Sequence, residues 1–126
     1  MARAVGEHAF ERLVAAALDD LPEEIRRALD NVDVVVEDWP DRGTLQRAGL
    51  RHPMQLMGFY QGVPRTKRTH RYGLVLPDKI TIYRRPIEMR ATSDEDVREI
   101  VRLVIRHEMA HHFGIDDSRL RDIGAY

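Results

Sequence analysis

The chain of 126 residues has the length of one domain spanning residues 1–126, and 43% hydrophobic with 33% charged residues is an ordinary globular mix. Twenty Lys and Arg against twenty-one Asp and Glu leave a net charge of -1, without the basic excess that supplies most nucleic-acid affinity, so no nucleic-acid partner is expected. With no cysteine there can be no disulfide, cysteine nucleophile or thiolate metal site, which leaves His, Asp and Glu as the available metal ligands.

Glu7, His8, Glu11 and Arg12 interrupt the apolar residues at the N-terminus, so that stretch reads as neither a signal peptide nor a membrane span. The expected location is cytoplasmic, with no membrane partner; the lack of cysteine suits a reducing compartment. Phe10, Leu13, Val14, Ala17, Leu18 and Leu21 recur at helical spacing and predict an amphipathic helix. Pro22 breaks it and suits the first turn of a short second helix, where Glu23 and Glu24 complement the positive end of the dipole. The β-branched run from Val32 to Glu37 predicts a buried or half-buried strand. Pro40, Gly43, Gly49 and Pro53 punctuate residues 38–53, which read as a loop.

Three further strands are predicted at residues 56–60, 72–76 and 79–84, with a polar, basic excursion at residues 65–71 that reads as a solvated loop or a contact for an acidic partner. Ile80 and Ile82 alternate with Thr81 and Tyr83, as on a strand with one buried face. After Pro86 a long helix is predicted, with Thr92 and Glu95 as its capping box and Val97, Ile100, Val101 and Val104 as its buried stripe. The coarse order is α-α-β-β-β-β-α, with a short helical turn after Asp117.

The chemistry lies at the end of that helix. His107, Glu108 and His111 form an HExxH motif, and residues four apart on a helix point the same way, so both imidazoles can bind one metal ion. Continuing the apolar stripe, they are expected to face inward over the core. Glu108 can reach a water on that metal without being a ligand. Gly114 permits a sharp turn that returns Asp117 to the metal, giving HExxHxxGxxD; Asp116 and His112 stay open as alternative third ligands. Shuffling this composition yields HExxH in roughly one chain in sixty and the extended pattern in roughly one in ten thousand, so the longer motif is the specific one. The plainer alternative is a helix end that displays protonated histidines to complement its dipole.

These residues, together with residues 58–64 and 76–84, resemble the small bacterial zincin-like metallopeptidases, a family once catalogued as a domain of unknown function. The resemblance runs from about Leu21 to the C-terminus. It implies an α+β fold, a minimal zincin in which a small mixed sheet packs against the active-site helix and the N-terminal helices. It also implies one Zn²⁺ per chain, held by His107, His111 and Asp117. No Glu follows Glu108 to serve as a distant third ligand, and neither a third motif histidine nor a downstream Met turn is present.

The expected activity is zinc-dependent hydrolysis of a peptide or protein substrate. Two imidazoles and a carboxylate leave zinc an open position for water, and Glu108 would serve as general base. Tyr60, His70 and Tyr126 are candidate oxyanion donors, and residues 79–84 are the candidate edge strand for a docked peptide. Only residues 118–126 follow the third ligand, so generic proteolysis is expected to be weak, with a partner protein completing the cleft or a narrow substrate range. The alternative is a non-catalytic, zinc-stabilised protein-binding module, in which a fourth ligand would close the site. A metal-dependent nuclease fits neither the near-neutral charge nor a Glu beside the first His.

Overall fold

A computed structural model of the chain describes residues 6–62 and 77–113. The first predicted helix forms as α1 (Glu7–Asp19), burying Phe10, Val14 and Ala17, and Pro22 caps the short α2 (Glu23–Ala28). A 3-10 turn leads into β1 (Val32–Glu37).

The region read as a loop contains a helix, α3 (Arg42–Ala48). Local hydrogen bonding makes it, since the Asp41 carboxylate accepts from the Thr44 amide at 2.7 Å at its start. Gly49 takes φ 73 and ends it in the left-handed conformation. Only Thr44 and Leu45 are buried in this helix, too few to write a periodic stripe into the sequence.

The strand predicted at residues 56–60 forms as β2 (Gly58–Gln61), and β3 spans Asp78–Tyr83. The strand predicted at residues 72–76 and the basic excursion lie outside the described residues. The sheet has the order β1-β3-β2, with β1 parallel and β2 antiparallel to β3. The central place of β3 overturns its expected role as the edge strand that docks a peptide. Val32 to Glu37 pair along one side of it and Gly58 to Gln61 along the other. Its alternation is misleading because both faces are covered. Ile80 and Ile82 enter the main core, while Tyr83 joins Leu45 and Leu56, with Phe59 packed against them, in a second small cluster.

The long helix predicted after Pro86, with its cap near Thr92, forms, and a short helix that the sequence did not reveal precedes it. α4 (Arg84–Arg90) begins two residues before Pro86, which sits in the first turn where a missing amide costs nothing. α5 (Asp94–Phe113) follows a break at residues 91–93. Its cap lies one residue later than the sequence suggested. Ser93 Oγ accepts from the Asp96 amide at 3.0 Å, and the Asp96 carboxylate accepts from both the amide and the hydroxyl of Thr92.

The main core lies between the sheet and the helices. Phe10, Val14 and Ala17 of α1, Ile80 and Ile82 of β3, and Ile87 of α4 meet Val97, Val101, Ile105 and Met109 of α5. Asp20, just after α1, accepts from Arg98 and Arg102, tying that end of the helix to α5. The fold is α+β, a small mixed sheet packed against helices, and among the described residues no helix is long and apolar enough to cross a membrane.

Candidate metal centre and general base

α5 presents a buried face made of Val97, Val101, Val104, Ile105 and Met109. Glu108 lies four residues after Val104 and seven after Val101, so at 3.6 residues per turn it continues that face and is half-buried. His107 and His111 fall on the flank beside it, in line with half-buried Ile100, and both are exposed. The expectation that the imidazoles face inward is therefore corrected. The acid continues the core stripe, and the two imidazoles stand one helical turn apart on its open edge.

β2 comes close to this face because residue 58 is glycine. A Cβ there would lie 2.3 Å from Val104 Cγ1 and 3.3 Å from the Thr81 carbonyl oxygen. That approach brings the backbone of Tyr60 to the motif, where its amide donates to Glu108 Oε2 at 3.1 Å. Burial pushes the Glu108 carboxyl above the ordinary glutamate range. The Tyr60 amide and the positive potential of His111 and His107 act the other way without cancelling it.

Behind Tyr60 lies a group the sequence did not single out. The Tyr60 hydroxyl donates to Asp78 Oδ2 at 2.6 Å, and Asp78 is buried at the start of β3. The Tyr60 ring stacks on His112, with centroids 3.9 Å apart and planes at 19°. His112 Nε2 stands 3.5 Å from the same Asp78 oxygen. His112, weighed from sequence as a third ligand, is thus engaged with Tyr60 and Asp78. The phenol of Tyr60, weighed as an oxyanion donor, is engaged with Asp78. Asp78 had no signal of its own, because an Asp after Pro77 and before a β-branched run reads as a turn residue.

Asp117, Asp116 and the turn at Gly114 lie outside the described residues, as do His70 and Tyr126. Among the described residues no group of three His, Cys, Asp or Glu side chains is placed to hold a metal. What they do supply fits zinc in kind: two imidazoles at i, i+4 on one helix, exposed, with a carboxyl next to them that is held elsewhere.

The family model of zincin-like metallopeptidases matches residues 29–125. A solved structure described as a conserved hypothetical protein from Thermo thermophilus is similar at 24% identity and a TM-score of 0.48, covering 88% of this chain and 100% of that one. No curated protein matches. The match spans β1, the sheet, α5 and its motif, and the chain belongs to the zincin-like metallopeptidase family.

Proposed function

We propose that the chain is a zinc-dependent peptidase in which His107, His111 and Asp117 hold one Zn²⁺ and Glu108 is the general base. The observation that carries this reading is the division of roles on α5, with exposed imidazoles on the flank and a half-buried carboxyl between them on the core face. Zinc bound there would supply a Lewis acid that polarises the scissile carbonyl and acidifies a water.

The chain's own contribution is proton handling. Glu108 takes the proton of the attacking water and delivers it to the leaving amine, and burial, which raises its carboxyl above the ordinary glutamate range, favours its holding the proton between the two steps. Oε2 is anchored on the Tyr60 amide, so Oε1 is the oxygen left to exchange the proton. An extended peptide would add to the outer edge of β2, which among the described residues pairs only with β3 and lies beside Glu108.

The competing reading, a zinc-stabilised binding module, needs a fourth ligand to close the site. The engagement of His112 with Tyr60 and Asp78 favours the open site. Metal analysis tests the assignment. His107→Ala and His111→Ala should each lose the single bound zinc, while Glu108→Gln should retain it. Full zinc in His111→Ala would remove the ligand assignment, and zinc loss in a folded Glu108→Gln would make Glu108 a ligand.

A further inference from the structure

We propose that Tyr60, Asp78 and His112 form a clamp that fixes the Tyr60 amide against Glu108, which makes them positioning residues for the base; this rests on the peptidase reading above.

Tyr60 is held at both ends. Its phenol donates to Asp78 at 2.6 Å, at the short end of O–H···O hydrogen bonds. Its ring lies flat on His112. Its backbone amide donates to Glu108. Glu108 and His112 are one helical turn apart on α5, so Tyr60 spans that turn, its amide on Glu108 and its ring and phenol held together at the His112 end. The three clamp residues come from β2, β3 and α5, and no two are neighbours in sequence.

The burial of Asp78 points the same way. A carboxylate withdrawn from water is costly unless it is hydrogen-bonded, and here it receives the phenol while facing the imidazole. Gly58 adds a steric condition, because any larger residue would push β2 away from Val104 and take the Tyr60 amide with it. A base displaced by about 1 Å forfeits on the order of 10²-fold in rate, so a rigid anchor for its second oxygen has a kinetic consequence.

The test compares zinc-loaded wild type with Tyr60→Phe, Asp78→Asn and Glu108→Gln, all as full-length chains. The first readout requires no turnover: the proton shift and hydrogen-exchange rate of the residue 60 backbone amide. Tyr60→Phe keeps the stack and loses only the phenol, so it stays informative if Asp78→Asn fails to fold. The clamp predicts that Tyr60→Phe moves the amide in the same direction as Glu108→Gln and speeds its exchange. Zinc stays at one per chain. On a cleaved peptide, kcat falls by roughly 10-fold to 100-fold with KM unchanged, the sign of a misplaced base rather than a lost binding contact. An unmoved residue 60 amide in Tyr60→Phe and in folded Asp78→Asn would overturn the clamp. A moved amide with kcat intact, while Glu108→Gln is inactive, would overturn the positioning role. If Glu108→Gln hydrolysed as fast as wild type, the peptidase reading would fall, and the amide readout alone would still decide whether the clamp holds Glu108.

Discussion

At Glu108 burial and a backbone hydrogen bond act in opposite directions, and burial prevails. The residue sits where α5 would otherwise carry another apolar side chain, in register with Val101 and Val104. Gly58 makes room for the strand that supplies its hydrogen bond. Gly58→Ala should destabilise the fold by about 1–3 kcal/mol through overpacking against Val104, measured by denaturant unfolding. The same variant should loosen the Tyr60 amide from Glu108. Wild-type stability in Gly58→Ala would mean that Val104 and β2 yield freely. The identity of these residues was legible in the sequence, since HExxH names the two imidazoles and the acid. Their orientation was not. The apolar residues Ile100 and Val104 both precede the motif, and only the packing of Ile105 and Met109 shows that the buried face is centred on Glu108 rather than on His107 and His111.

Among the elements, α5 depends on its cap. Ser93→Ala removes the acceptor of the Asp96 amide and should cost about 1 kcal/mol in urea unfolding, whereas Thr92→Ala leaves that bond in place. A null effect for Ser93→Ala would return the cap to Thr92. Acid should weaken the same joints. The donors of Thr92 hold the Asp96 carboxyl below its ordinary range, the Thr44 amide does so for Asp41, and Arg98 does so for Asp20. A carboxyl whose pKa is lower folded than unfolded stabilises the fold above its unfolded pKa, and that contribution is lost as pH falls. Thermal stability should therefore decline as pH drops below about 4, the ordinary aspartate value. A melting temperature that rises on acidification through that range would contradict these bonds. Sequence periodicity gave α1, β1 and the strand character of residues 58–61 and 78–83, because each has a clear apolar pattern. It missed α3, whose ends are set by Asp41 and Gly49 rather than by a stripe. It also misplaced the edge of the sheet, because alternation in β3 does not reveal that Leu45, Leu56 and Phe59 cover its second face.

At the scale of the whole molecule, the described residues bring their chemistry to one place by packing a long helix across a sheet that among them has three strands. α5 supplies two imidazoles and a carboxyl, β2 supplies the amide that anchors the carboxyl, and the buried start of β3 supplies Asp78 to hold β2 in position. The measurement that tests this account most directly is cleavage of a mixture of unstructured peptides by zinc-loaded protein, with new amino termini counted by mass spectrometry. Wild type should generate them. Glu108→Gln, carrying the same one zinc per chain, should generate them about 10²-fold to 10⁴-fold more slowly. Equal cleavage by the two proteins would contradict a zinc peptidase with Glu108 as its base.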